Sequence, residues 1–175
     1  MSVLLSPQDA RALIWNALTG SGTAPENAGY FTDAILDTEL SGLEGHGFYW
    51  LQYYCAHLRS GKVDGKAVPQ IEALSDTSFR VDALHGFAHP AIEAGFKHLI
   101  PAAKAHGVAA MGVHNSYNAA TLGFHTGYLA RRPSGHRCNQ CCSYRCAGRR
   151  QDPDHRNQPH FLCSACSEWR DSLSG

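Results

Sequence analysis

The chain has 175 residues, enough for one domain with its own core and too few for two large ones. Fifteen Lys and Arg balance fifteen Asp and Glu, so no net field points to nucleic acid or to an anionic membrane surface. No apolar run approaches the ~20 residues of a membrane span, and the start MSVLLSPQDAR carries neither a charged leader nor a long apolar stretch, so a cytoplasmic protein is expected.

Ser6, Pro7 and Asp9 read as an N-cap, a proline at the first helical position and an acid in the first turn. The helix they open places Ala10, Leu13, Ile14, Ala17 and Leu18 on one face and stops at Gly20. A second helix is predicted from Pro25 to Leu40, with Tyr30, Phe31, Ala34, Ile35 and Leu40 at its apolar positions. Gly42, Gly45 and Gly47 interrupt the pattern. Phe48, Leu51, Tyr54, Cys55 and Leu58 then resume a helical period up to Ser60-Gly61.

Beyond residue 60 the signal changes. Val63-Asp64-Gly65-Lys66 reads as a turn, residues 71–74 as a weak strand, and residues 78–82 alternate as a half-buried strand does. Residues 89–105 are amphipathic again, residues 108–113 form a short strand of small residues, and residues 115–130 read as a turn feeding a helix. The body is therefore α/β in character. It has no internal repeat and no GxGxxG opening a βαβ unit, which excludes the ordinary dinucleotide fingerprint.

Two polar constellations stand out in this body. Leu43-Glu44-Gly45-His46-Gly47 sets a histidine between glycines before an aromatic helix, where backbone can approach a ligand and an imidazole can pass a proton. Taken alone, a histidine satisfied by backbone at a helix junction is the commoner arrangement. His114-Asn115-Ser116-Tyr117-Asn118 ends a predicted strand, the edge at which α/β proteins usually bind ligands. A plain Asx or Ser turn accounts for the same residues. His85-Gly86-Phe87-Ala88-His89 reads as a helix-entry loop, and His57, His98, His106 and His125 as solvated or core histidines.

The composition breaks near residue 130. Residues 131–175 hold six of the seven Cys and eight of the fifteen basic residues, all Arg, with no Ile, Val, Met or Lys. Such a segment buries too little apolar area to offset its ordering entropy, so a boundary near 130 and a poorly ordered tail are expected. Cys138-x2-Cys141 and Cys163-x2-Cys166 have zinc-ribbon spacing, which keeps a non-enzymatic binding module with a metal tail as the alternative. Cys142 and Cys146 would be left over, and the lack of Val and Ile argues against the hairpins on which ribbon knuckles sit. No metal is expected there.

Taken together, Gly42-Leu43-Glu44-Gly45-His46-Gly47, Leu58-Arg59-Ser60-Gly61-Lys62-Val63-Asp64-Gly65, Val81-Asp82-Ala83-Leu84-His85-Gly86-Phe87-Ala88-His89-Pro90-Ala91 and Asn115-Ser116 resemble the malate/L-lactate dehydrogenase family. Ureidoglycolate, sulfolactate and cyclic-imine carboxylate oxidoreductases belong to it. The resemblance implies N-terminal helices followed by the start of a mixed-sheet, non-Rossmann nucleotide-binding domain, here truncated. It implies hydride transfer between NAD or NADP and a small 2-hydroxy or 2-imino carboxylate, and a homodimer that needs neither nucleic acid nor membrane. His46 would lie at the substrate with Gly45, Gly47, Tyr54, Asn115 and Ser116. Asn118 stands where the family's usual proton-transferring His falls, and Trp50 where many members place an Arg suited to clamp a carboxylate. The cofactor site would lie mostly beyond residue 130, which makes this chain by itself inactive.

The tail can be tested against that expectation on paper. Codons for residues 137–146, read one base later, allow Gly-Val-Thr-Asn-Ala-Ala-Ala-Ile-Ala-Val, and codons for residues 154–163 allow Ile-Ile-Gly-Thr-Asn-Pro-Ile-Ser-Phe-Ala. Both resemble the family's next segments, in the right order and in the same offset frame. A frame slip near Ala130 to Arg131 explains why Val and Ile vanish while Cys and Arg accumulate.

Overall fold

Helix α1, Pro7–Gly20, starts where its cap requires: the Ser6 hydroxyl accepts the Asp9 amide at 3.1 Å and donates to the Asp9 carboxylate at 2.7 Å. Helix α2, Pro25–Leu40, and helix α3, Phe48–Arg59, follow, separated by one 3-10 turn at Glu44–His46. Their apolar faces meet, burying Ile14, Leu18, Phe31, Ile35, Tyr54 and Leu58 in one cluster. Full burial of each such side chain stabilises by roughly 1.5–3 kcal/mol. The computed structural model describes residues 4–131, 138–146 and 159–167.

The segment leaving α3 is tied back to α2 by Asn27, whose Nδ2 donates to the Gly65 and Ala67 carbonyls at 3.0 Å each. Strand β1, Gln70–Ser75, then pairs antiparallel with β2, Ser78–Asp82. Phe79 and Val81 of β2 point into the core and Arg80 points out, the alternation expected of a strand with one buried face. Helix α4, Ala88–His106, crosses over so that β3, Val108–His114, lies parallel to β2.

Helix α4 runs through Pro101, which supplies no backbone N–H. Packing outweighs that loss, because Phe96, Leu99 and Ala103 around the proline are buried against Phe79, Val81, Met111 and Val113 of the sheet. Gly95 brings α4 close to the strands, since a β-carbon there would run into the Met111 sulfur. Phe87, just ahead of α4, belongs instead to the helical cluster and joins the two cores.

After helix α5, Leu122–Arg131, two strands follow: β4, Cys138–Cys146, and β5, Pro159–Ser167. The sheet order is β1-β2-β3-β5-β4, with β5 antiparallel to both β3 and β4. The sequence carries no Val or Ile in this stretch that would mark a strand. A ladder is built from backbone groups rather than side chains, and residues 108–113 of β3 pair with residues 161–166 of β5. Residues 132–137, 147–158 and 168–175 of the tail lie outside the described residues.

Candidate functional site

The C-terminal turn of α2 positions both polar loops. Thr38 Oγ1 donates to the Ala34 carbonyl at 2.7 Å and lies 3.1 Å from the Thr121 hydroxyl, just after Asn118 in the chain. The next residue, Glu39, accepts the Phe48 amide at 2.8 Å. The first residue before α3 is Gly47, which has no side chain to cap the helix, so Glu39 does so from another helix. Gly47 is needed for this: it is buried, and a β-carbon on it would collide with the Glu39 carboxylate. Gly45 is not constrained in this way, since a β-carbon there meets open space.

His46 is exposed at the end of the 3-10 turn, its amide donating to the Leu43 carbonyl at 2.8 Å. One turn further on, Tyr49, Trp50 and Tyr53 present an exposed aromatic surface. Tyr54 lies behind it at 1% exposure, packed on Phe31 at 4.8 Å and edge-on to Tyr117 at 6.1 Å. Burial, followed by the neighbouring Tyr117, pushes the Tyr54 phenol up to about 12, so it stays protonated at all ordinary pH.

The loop after β3 is held through three of its residues. Asn115, at φ +49°, donates its side-chain amide to both carboxylate oxygens of Asp82 at 3.1 Å, and its carbonyl accepts the His85 amide at 2.8 Å. Ser116 is buried, with its hydroxyl unpartnered. The Tyr117 hydroxyl lies 2.5 Å from His57 Nδ1, which ties the loop to the middle of α3. Burial, then the Lys62 ammonium, hold His57 below its ordinary value, so the ring is neutral at pH 7. Asn118 is exposed, and its Oδ1 accepts the Ala120 amide at 2.8 Å, which leaves the Nδ2 donors free of that turn.

Among the described residues no hydrogen bond joins His46 to Asn118; the two loops are linked through Thr38 and Glu39. The sequence pattern singled out neither of those two, because both partnerships depend on how helices pack. It also missed His89, which is buried with both ring nitrogens unpartnered and its ring 4.6 Å from Phe31 and 4.8 Å from His125. Burial first, then His125, push His89 well below the ordinary histidine range. His125 Nε2 lies 3.2 Å from the Ala119 carbonyl, which can only accept, so Nε2 carries the proton. Burial lowers His125 to about 4 against that bond. Helical spacing of His89 with Ile92, Glu93 and Phe96 is the signal that places it on the buried face.

A dinucleotide needs free backbone N–H groups for its pyrophosphate. At the C-terminal ends of β2 and β3 those amides are committed: Leu84 to Asp82, His85 to Asn115, Gly86 to Ala83, Tyr117 to Gly86 and Ala120 to Asn118. The described residues do not fit such a cofactor at this edge. Cys138, Cys141 and Cys142 lie in β4 and Cys163 and Cys166 in β5, where the register sets Cys138 opposite Ser167, Cys141 opposite Ser164 and Cys142 opposite Cys163.

Residues 5–133 match the family model described as malate/L-lactate dehydrogenase. The chain belongs to the malate/L-lactate dehydrogenase family. It is 37% identical over 120 residues to a Delta(1)-pyrroline-2-carboxylate reductase of Ancylobacter novellus, covering 69% of this chain and 35% of that protein. It is 36% identical over 131 residues to a (2R)-3-sulfolactate dehydrogenase (NADP(+)) of Chromohalobacter salexigens, covering 75% of this chain and 39% of that one. Among solved structures, the delta1-piperideine-2-carboxylate reductase of Pseudomonas syringae superposes with TM-score 0.70 at 32% identity, over 74% of this chain and 39% of the other. The family's order of helices followed by a mixed sheet is thus the order observed here. The chain spans little more than a third of the length of these relatives. No helix among the described residues is long and apolar enough to cross a membrane.

Proposed function

We propose that this chain carries the substrate-side part of an oxidoreductase that transfers hydride between NAD or NADP and a small 2-hydroxy or 2-imino carboxylate. What carries this reading is the junction at the end of α2, where consecutive residues hold the His46 turn and the Asn118 loop. His46 is exposed and free to meet a ligand, and an imidazole is a side chain able to pass a proton to or from one. A carboxamide is not, so Asn118 orients the substrate through its Nδ2 donors while His46 handles the proton at the substrate oxygen or nitrogen. Asn115 is spent on Asp82 and shapes the loop, and Ser116 offers a buried hydroxyl with no other partner. Tyr54 supports the aromatic surface from behind rather than reaching the ligand with its hydroxyl.

The nicotinamide would supply the hydride. Its site is assigned to segments of the family's fold beyond the matched residues, because the amides at the β2 and β3 edge are taken. The chain alone is therefore inactive. A boundary near residue 130 is supported by the composition break and by a family match that ends at residue 133. A frame slip near Ala130 to Arg131 explains the tail, and a cytoplasmic homodimer completes the reading.

Resequencing the coding DNA from the codon for Thr121 past the stop is the test. One continuous frame through a Gly-Thr-Asn-Pro segment is expected, with hydride transfer by the product of that frame and none by the 175-residue chain. Turnover by the purified 175-residue chain overturns the reading.

A further inference from the structure

We infer that Cys142 of β4 and Cys163 of β5 form an oxidation site, which closes to a cross-strand disulfide by exchange with a small disulfide of the glutathione type. The site is independent of the reaction assigned to His46. The register places Cys142 directly opposite Cys163. Residues that face each other across an antiparallel ladder stand on the same side of the sheet, with Cα atoms about 4.5–5.5 Å apart. A disulfide spans about 4.4–6.8 Å between Cα atoms, so this pair closes without moving the backbone.

The same register excludes the other cysteines. Cys138 faces Ser167, Cys141 faces Ser164, Cys146 faces Pro159 and Cys166 faces Asn139. Cys141 and Cys166 are diagonal neighbours, about 7–8 Å apart, beyond the reach of a disulfide. Within one strand, Cys138 and Cys141, or Cys163 and Cys166, are separated by about 10 Å of extended chain and fall on opposite faces. Cys55 belongs to the helical cluster.

In the exchange, one cysteine thiolate attacks the glutathione disulfide and expels a glutathione thiolate; the second attacks the mixed disulfide and expels the other. Both protein thiols are oxidised, the glutathione disulfide is reduced to its thiols, and the cysteine protons pass to the departing thiolates. On its other side β5 is paired with β3, where Met111 lies opposite Cys163. The bond therefore ties β4, at the end of the sheet, to a strand held on both sides. In a reducing compartment such a bond forms only when the oxidant rises, which makes it a reversible modification.

The experiment equilibrates the purified 175-residue chain with glutathione and glutathione disulfide at set ratios, alkylates the remaining thiols and maps tryptic peptides by mass spectrometry. A link between the peptides at residues 138–145 and 157–170 is expected, lost in Cys142→Ser and in Cys163→Ser and kept in Cys141→Ser and in Cys166→Ser. In the unsubstituted chain, oxidation should slow amide hydrogen exchange over residues 138–146 about tenfold, and dithiothreitol should restore it. That second readout needs no variant to fold. A link that persists in Cys142→Ser or Cys163→Ser, a scrambled set of links, or mixed disulfides with glutathione alone overturns the assignment.

Discussion

Asn115 donates its side-chain amide to both carboxylate oxygens of Asp82, at 3.1 Å each, and so clamps the C-terminal ends of the parallel strands β2 and β3. The same Asp82 accepts the Leu84 amide at 2.8 Å, and the Asn115 carbonyl accepts the His85 amide. Leu84, His85 and Asn115 all have positive φ, from +49° to +61°. Two adjoining turns in a conformation that L-residues rarely adopt are therefore held by one carboxylate and one amide.

Replacing Asn115 separates the two contributions. Asn115→Ala loses the hydrogen bonds to a charged partner and places a poorer residue at positive φ, so a loss of about 2–3 kcal/mol is expected. Asn115→Gly loses only the hydrogen bonds and should be milder. Urea denaturation of the two variants checks the order, and an equal loss in both would remove any role for the backbone conformation.

Gly47 and Gly45 should respond differently to the same substitution. Gly47→Ala pushes the Glu39 carboxylate aside and uncaps α3, a loss of about 1 kcal/mol or more. Gly45→Ala meets open space and should stay within about 0.5 kcal/mol of the parent. Thermal melts of both variants decide this.

Stability should fall on acidification. His89 and His125 are buried and neutral, with folded-state values below the unfolded value of ~6.5. As pH drops below ~6.5 the unfolded chain takes up protons that the folded chain refuses, so stability declines until the folded-state values are reached, about 4 for His125. For His125 the decline amounts to about 3 kcal/mol across that window. Denaturant midpoints measured between pH 7 and pH 4 should show it, with a shallower slope in His125→Phe.

Tyr117→Phe removes the 2.5 Å contact with His57 while keeping the ring that packs on Tyr54 and Phe87. A neutral hydrogen bond of this kind contributes about 0.5–1.5 kcal/mol. Faster hydrogen exchange confined to the loop at residues 115–120 is expected, since Tyr117 is what ties that loop to α3. Unchanged exchange there would assign the tether to Asn115 alone.

Much of the site's scaffold was legible because its signals are local. Pro25 at the first helical position and Gly42 at φ +73° bracket α2, which the structure places at Pro25–Leu40, the bounds its sequence predicts. Alternation over residues 78–82 likewise located β2. The strands after residue 131 were not legible, because that stretch lacks the Val and Ile whose alternation marks a strand.

The order of elements, the capped start of α1, the composition break near residue 130 and the family's motifs follow from the sequence alone, since each depends on neighbours within a turn, a strand or a short motif. Tertiary structure alone decided that Glu39 caps α3, that Asp82 holds Asn115 from 33 residues away, and that His89 is buried without a partner. The physical reason is that a side chain's periodicity reports which face it occupies, whereas its hydrogen-bond partner is set by which other element packs against that face.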